Sequence, residues 1–198
     1  IHAEEAYIST AASPFSDAMA EKAMELIGEN IRRFVANRTD VEAAEAMMVG
    51  SLFAGIAFSF ARLGNVHAMS HPVSAFFDVP HGVANAVLLP VVAEYNALAD
   101  HGRYYKIYNY ISEIPAYEDE FEPMMLVDAI RSLCKAIGIP ANLTEAINQA
   151  GKTGSISRET IEEKIEAMAA DAMKSGNIAV NPRSSRQCDI EMLYRKAL

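Results

Sequence analysis

His67, His71 and His81 lie close together in a 198-residue chain that contains five histidines. His67 and His71 are four residues apart, so on a helix they share one face. His81 follows in a Pro-His-Gly turn that opens the next apolar segment. Imidazoles that converge from a helix and a turn inside an apolar chain are typical of a transition-metal site. A fourth histidine, His2, stands at the start of the chain. On the residues alone, these histidines are either metal ligands or side chains packed in a core.

The composition excludes several classes of function. The net charge is −9 and acidic residues are scattered through helical patterns, so phosphate backbones are repelled and nucleic acid is not expected as a partner. The 51% of apolar residues is enough for a core of fair size. The two cysteines, Cys134 and Cys188, do not form a disulfide framework and indicate a reducing, cytoplasmic location. No signal peptide is visible.

The elements that must position the histidines are predicted to be helices. Ser13 and Pro14 supply an N-cap and a first-turn proline for a long amphipathic helix over 15–37. Thr39 and Glu42 form a capping-box pattern for the next helix. No segment shows sustained two-residue alternation. The sequence therefore predicts an all-α bundle of about eight to ten helices with one core.

The helix that follows Thr39 is apolar on every side from Met47 to Ala61. Such a helix is typical of the centre of a fold, so we predict that it is buried all round and that Phe58 and Phe60 are core aromatics. The apolar run of about 15 residues is shorter than the roughly 20 residues of a membrane span. The sequence therefore predicts no membrane partner.

Two prolines interrupt the segments that carry the histidines. Pro72 disfavours helical geometry at His71, so we predict a short helix over 65–71 that ends or kinks there. That break would turn His71 away from its neighbours. After a loop, another helix is predicted from about Gly82, and Pro90 is expected to kink or split it.

The remaining segments indicate packed helices and surface turns. Helices are predicted over 104–111, 123–137, 144–150, 157–174 and 189–198, with an acidic turn over 114–123 and a Gly/Ser/Thr connector after residue 150. His101 is expected to be exposed and not to bind metal. The consecutive carboxylates of the acidic turn lack the glycine and alternating ligands of a calcium loop, so they indicate a solvated turn.

The histidine stretch resembles the iron-containing (group III) alcohol dehydrogenases. The resemblance lies in His-Ala-Met-Ser-His-Pro at 67–72, Phe-Phe-Asp-Val-Pro-His-Gly-Val-Ala-Asn-Ala at 76–86, His-Ala-Glu-Glu-Ala-Tyr at 2–7 and Asn-Pro-Arg at 181–183. It covers nearly the whole chain, 1–198, as one helical, dehydroquinate synthase-like C-terminal domain of that family. It implies the metal-binding part of an NAD(P)-dependent enzyme that interconverts a primary alcohol or diol and its aldehyde.

The resemblance also implies roles for single residues. His2, His67 and His81 match the three histidine ligands of the family's divalent metal, usually iron(II) and sometimes zinc. His71 matches a nearby histidine thought to help relay a proton. Phe58 matches an aromatic residue that lines the substrate channel. A homo-oligomeric full-length protein is a further expectation from the resemblance.

The chain departs from the family's pattern in two ways that bear on activity. The family's fourth ligand is an aspartate one helical turn before the first histidine, a position that would fall before Ile1. The N-terminal nucleotide-binding domain, which holds most of the NAD(P), is missing from the sequence. We therefore expect a piece of a longer protein that is inactive alone. In addition, Glu4, Ser74 and Asn177 replace apolar, glycine and cysteine residues that are common in the family.

Three alternatives to an alcohol dehydrogenase remain open from the sequence. Two are related metal-dependent enzymes with the same helical domain, a zinc glycerol dehydrogenase or a dehydroquinate-synthase-like lyase. The third is a non-catalytic helical interaction domain whose histidines belong to the core.

Overall fold

Helices form all the regular structure in the part of the chain that the structure describes. The structure is a computed structural model that describes residues 1–150 and 155–198. Within those ranges no strand is present, which confirms the predicted all-α fold. Part of the connector predicted after residue 150 lies outside the described residues. The helices are α1 (His2–Ile8), α2 (Pro14–Ala36), α3 (Val41–Ala61), α4 (Asn65–Phe77), α5 (His81–Asn96), α6 (Arg103–Ile111), α7 (Pro123–Ala136), α8 (Leu143–Ala150), α9 (Arg158–Glu162), α10 (Ile165–Ala172) and α11 (Gln187–Ala197), with 3-10 turns at Ala97–Ala99, Glu118–Glu120 and Ile178–Val180.

The two longest helices, α2 and α3, form the most extensive helix pair in the described structure. Ser13 caps α2 as predicted, because its Oγ accepts the Ser16 N–H at 3.3 Å. The pair approaches closely at Gly50 of α3, where an added Cβ would lie 2.7 Å from Cγ1 of Ile27. Small residues on α3 therefore let the two backbones come together.

The prediction that α3 is buried on every side is wrong. Its buried residues form a single stripe of small side chains: Ala43, Gly50, Ala54, Ala57 and Ala61. On the outer side Met48 is 74%, Leu52 62% and Phe60 64% exposed, so Phe60 is not a core aromatic. An all-apolar sequence does not reveal which side is in contact. The small residues decide it, because only they allow α1 and α2 to pack this closely.

Two helix boundaries also differ from the predictions. Asp40, not Thr39, caps α3, and its Oδ1 accepts the Ala43 N–H at 3.0 Å. Asp and Thr are both good N-caps, so sequence alone does not separate two neighbouring candidates. The helix predicted over 157–174 divides into α9 and α10, which are joined by a turn at Glu163 and Lys164.

The prolines in α4 and α5 do not break these helices. α4 continues past Pro72 to its end, and α5 continues through Pro90 as one helix. The helices therefore do not end at His71 or split at Pro90, and those alternatives are wrong. The other alternative, a kink at either proline, stays a prediction. A proline removes one backbone hydrogen bond, and in α4 the burial of the neighbouring Met69 and Val73 outweighs that loss.

Two segments of the described structure are long and apolar enough to cross a membrane by length and composition alone. They are α3 and His81–Ala99. Of the most apolar stretch in each, 22% is buried in α3 and 50% in His81–Ala99. The core helix of a globular protein passes the same test. Length and composition therefore give only weak evidence for a membrane span.

Buried aromatic side chains fix α4 and α5, the helices that carry most of the candidate site. The Tyr194 hydroxyl of α11 donates to the Met69 carbonyl of α4 at 2.6 Å. The Tyr104 hydroxyl of α6 donates to the Ala93 carbonyl of α5 at 2.9 Å. Each aromatic ring is thus fully buried while its polar end is hydrogen-bonded.

Gly28 of α2 lies against the backbone of α6. A Cβ at this position would overlap the Tyr110 carbonyl oxygen, which is backbone and does not move aside easily. We expect Gly28→Ala to lower the free energy of unfolding by about 1–3 kcal/mol. The matched control is Gly55→Ala, where an added Cβ meets no atom within 4 Å. Urea unfolding should show the loss in Gly28→Ala alone, and a fully stable Gly28→Ala would contradict this packing.

Candidate metal centre

Helices α1, α4 and α5 bring three of the sequence-predicted residues together. The nearest ring nitrogens of His2, His67 and His81 all lie within 4.8 Å of one another. The His2 ring stacks on His67 with centroids 4.6 Å apart, and the His67 and His81 centroids are 5.2 Å apart. A tetrahedral ion with bonds of about 2.1 Å holds its ligand atoms about 3.4 Å apart. A small movement of the rings therefore suffices for all three to bind one ion.

The three rings differ in their access to solvent. His67, in the first turn of α4, is 1% exposed, and His2 of α1 is half-buried. His81 is the first residue of α5 and is exposed. The cluster therefore has a buried side, formed by His67, and an open side from which a small molecule can approach.

A buried carboxylate fixes the far side of the His67 ring. Oε2 of Glu5 pairs with Nδ1 of His67, and both side chains are 2% exposed. Oε1 of the same carboxylate accepts the Val66 N–H at 2.7 Å. Because Glu5 belongs to α1 and His67 to α4, this carboxylate ties the two helices together at the site.

An amide donor lies between two of the imidazoles. Nδ2 of Asn85 is 3.1 Å from Nε2 of His67 and 3.0 Å from Nε2 of His81. The Asn85 Oδ1 is buried and has no hydrogen-bond partner in the structure. The Asn85 N–H groups thus lie where two imidazole lone pairs converge, which is where a cation could bind. Such a donor set fits a divalent cation of the zinc or iron(II) type.

His71 and Phe58 both lie beside the cluster. The His71 ring is exposed and stacks on His81 at 5.2 Å with an interplanar angle of 14°. The prediction that His71 is turned away from its neighbours is wrong. α4 continues through Pro72, so His71 lies one turn beyond His67 on the same side of the helix. Phe58 of α3 is half-buried and stacks on His2 at 4.8 Å. His101 is exposed, as expected.

Three of the imidazoles, His2, His71 and His81, are held in their neutral form. Burial, and then the neighbouring His67, lower the pKa of His2 to about 4. Burial and His67 also lower the pKa of His71 and of His81. These rings are therefore neutral near pH 7, and their lone pairs are available to a metal or to a proton.

A cavity of about 400 Å³ extends from the histidines into the fold. Most of its lining is apolar and includes Ile27, Ile111, Ile130 and Leu133. Glu4 also lines it, and burial raises the pKa of this carboxyl to about 7. The cavity thus contains a buried carboxyl whose protonated form is favoured by its surroundings.

Glu4→Gln should stabilise the metal-free chain in a pH-dependent way. The folded pKa of about 7 exceeds the unfolded 4.5, so the folded chain binds more protons between these values and its stability falls as pH rises through them. Removing the acid should raise the free energy of unfolding above pH 7 by on the order of 3 kcal/mol. Near pH 4.5 the gain should vanish. Urea unfolding across this range measures it, and a gain that is independent of pH would contradict the assignment.

Sequence reasoning did not assign roles to Glu5 and Asn85, although both contact the predicted ligands. Their spacing carried a usable signal. Glu5 lies three residues after His2 and Asn85 four residues after His81, so each shares a helical face with a candidate ligand. A polar residue at that spacing is a natural hydrogen-bond partner for the neighbouring imidazole or for one that faces it.

The described structure is a helical domain in which three helices bring a histidine cluster together, a fold shared with solved alcohol dehydrogenases. It superposes on 1,3-propanediol oxidoreductase with a TM-score of 0.86 at 39% identity, covering 100% of this chain and 49% of that one. The alcohol dehydrogenase from Oenococcus oeni gives a TM-score of 0.86 at 32% identity, again covering 100% of this chain and 49% of that one. The model of the Fe-containing alcohol dehydrogenase family, C-terminal, matches residues 1–198. The chain therefore belongs to the iron-containing alcohol dehydrogenase family.

Curated relatives agree with this membership. The chain is 39% identical over 197 residues to 1,3-propanediol dehydrogenase of Citrobacter freundii, covering 99% of this chain and 48% of that protein. It is 36% identical over 197 residues to lactaldehyde reductase of Escherichia coli K12, covering 99% and 48% respectively. The chain thus spans about half the length of the curated relatives it matches.

Proposed function

We propose that this chain is the metal-binding domain of an NAD(P)-dependent dehydrogenase that interconverts a primary alcohol or diol and its aldehyde. The observation that carries the proposal is the convergence of His2, His67 and His81 from three helices. Membership of the family supports the reaction class, and the names of the relatives support small alcohols or diols as substrates.

In this proposal His2, His67 and His81 hold a divalent ion, iron(II) or zinc. Neutral imidazoles suit these ions, whereas magnesium and calcium prefer oxygen ligands. When bound, such an ion acts as a Lewis acid that lowers the pKa of an alcohol hydroxyl. Three imidazoles leave at least one position of a tetrahedral ion free for a further ligand.

His71 is proposed to move the proton that the alcohol loses. Its ring is only partly covered and stacks on His81. That partial burial, and then the neighbouring His67, lower its pKa, so the ring is neutral near pH 7. A neutral imidazole accepts a proton at its free ring nitrogen and can release it to solvent. Phe58 stacks on His2. We propose that its ring contacts the substrate's carbon chain and excludes water from that side of the site.

A nicotinamide cofactor would supply the hydride acceptor for this oxidation, and we propose that another part of a longer protein binds it. The 198 residues contain no Gly-rich phosphate-binding loop, and the relatives are about twice as long. We therefore propose that the 198-residue chain alone does not oxidise alcohols. Assembly of the longer protein into a homo-oligomer also remains a prediction. A cytoplasmic location remains a prediction too, and free Cys134 and Cys188 are consistent with it.

Metal titration of this chain tests the proposal. We expect zinc or iron(II), added anaerobically, to bind weakly, with one ion per chain, and to raise the melting temperature. An ion at 100 times its Kd adds about 2.7 kcal/mol to the free energy of unfolding. Chelator should reverse the shift. Unchanged melting with excess metal and with chelator would instead favour a non-catalytic helical domain.

Product analysis of a longer protein that contains this chain tests the reaction. We expect NAD(P)-dependent oxidation of simple primary alcohols or diols, and its loss in His67→Ala. Activity restricted to glycerol, or a lyase product, would assign the chain to one of the related enzyme classes instead. Full activity in His67→Ala would reject the metal-dependent mechanism.

A further inference from the structure

The His67 imidazole is held at both ring nitrogens by groups that are not themselves candidate ligands. On the Nδ1 side stands the carboxylate of Glu5, which is buried with it. An ionised carboxylate only accepts hydrogen bonds. Its other oxygen already accepts the Val66 N–H at 2.7 Å. The hydrogen of a neutral His67 ring is therefore drawn to Nδ1.

On the Nε2 side stands the amide of Asn85. Its Nδ2 carries two hydrogens and lies 3.1 Å from Nε2 of His67 and 3.0 Å from Nε2 of His81. An amide N–H requires an acceptor, so each of these Nε2 atoms presents a lone pair. Two independent contacts, one on each side of the ring, thus select the same tautomer of His67.

We propose that Glu5 and Asn85 are positioning residues that fix His67 with its proton on Nδ1 and its Nε2 lone pair facing His2 and His81. The role of this arrangement in metal binding rests on the proposed function, because the Nε2 lone pair is the one that would bind the ion. The geometry does not depend on it. A carboxylate behind a metal-binding histidine fixes the ring orientation and raises its basicity.

Glu5→Gln is a sharp test because the surroundings dictate how the new amide must sit. The Val66 backbone N–H is a donor only, so the glutamine carbonyl oxygen must remain opposite it. The glutamine NH₂ then replaces Oε2 and faces Nδ1 of His67. Nδ1 must become an acceptor, and the ring hydrogen moves to Nε2. Asn85 must then turn its amide so that Oδ1, which has no partner in the wild-type arrangement, accepts that hydrogen. The substitution is nearly isosteric, yet it should block the nitrogen that faces the site.

The readout is the tautomer of His67 in the metal-free, ¹⁵N-labelled chain, measured by long-range ¹H–¹⁵N correlation. The measurement is made at about pH 8, above the ordinary pKa of a free imidazole. Signals are assigned by their loss in His67→Gln. We expect an Nδ1–H ring in the wild type and an Nε2–H ring in Glu5→Gln. The matched control is Glu4→Gln, the same change at the adjacent buried carboxyl, which should keep the wild-type tautomer.

An Nε2–H ring in the wild-type chain would overturn the inference, and so would an unchanged tautomer in a folded Glu5→Gln. Because the wild-type measurement does not depend on Glu5→Gln, the test stands even if circular dichroism shows that Glu5→Gln does not fold. Zinc titration adds a second arm, in which Glu5→Gln should bind about 10–100-fold more weakly than Glu4→Gln. If the wild type shows the Nδ1–H ring but binds no metal, the proposed function fails while the assignment of Glu5 and Asn85 stands.

Discussion

Zinc titrated into the His81→Ala chain is expected to find no tight site. Two imidazoles would remain, and the lost ligand is the one on the open side of the cluster. We expect the affinity for zinc to fall by more than about 100-fold. Changing a residue that only hydrogen-bonds to a metal-binding side chain costs less, about 10–100-fold. His81 is exposed at the first residue of α5, so its removal should scarcely affect folding. Calorimetric titration and bound metal per chain measure the effect.

His101→Ala is the control for this experiment. It removes another exposed histidine, located in the turn before α6 and not among the clustered ligand atoms. Its metal affinity should equal that of the wild type. If His81→Ala also binds one zinc ion with undiminished affinity, the three imidazoles do not form the site.

Asn181→Ala is expected to cause the largest loss of stability. The Asn181 side chain is buried, and its Oδ1 accepts from the Asn65 N–H and from Nδ2 of Asn96, both at 3.1 Å. Its Nδ2 donates to Oδ1 of Asn96 at 2.8 Å and to the Arg183 carbonyl at 2.7 Å. Each buried partner left without a bond costs about 1–3 kcal/mol. The total loss should be on the order of 4 kcal/mol.

Asn177→Ala is the matched control for Asn181→Ala. Asn177 is half-buried, and the hydrogen bonds found there use its backbone: its N–H donates to Oγ of Ser175 and its carbonyl accepts the Val180 N–H. Its truncation should change the free energy of unfolding by a few tenths of a kcal/mol, about what surface positions show. Urea unfolding of both variants measures the difference. Equal stability of the two would show that the Asn181 amide does not hold α4 in place.

Much of this fold follows from local sequence signals. The amphipathic pattern of α2 and its Ser13 cap predicted that helix to within one or two residues. The interior prolines misled the prediction because Pro72 weakens a helix locally, whereas burial of its neighbours is decided by the whole fold. For α3 the periodic signal was lost, since every residue from Met47 onward was apolar or small.

The sequence predicted the histidines of the candidate site but not the residues that hydrogen-bond to them. Spacing and local context singled out His67, His71 and His81 and noted His2, and the resemblance added their separate roles. Hydrogen bonds between helices could not be read from the chain, because Glu5 is 62 residues from His67 in sequence. Asn181 shows the same limit, since it reaches the start of α4 from 116 residues away.

The two-sided character of α3 has a consequence for the chain in water. Burying a side chain the size of Met48, Leu52 or Phe60 is worth about 1.5–3 kcal/mol, and here all three stay hydrated. Phe15 extends this ridge by meeting Phe60 edge-on at 4.9 Å. We expect this exposed apolar ridge to promote self-association of the chain at high concentration. A molecule that covers this ridge would bind through the burial of apolar surface, without charged or hydrogen-bonding groups of its own opposite it.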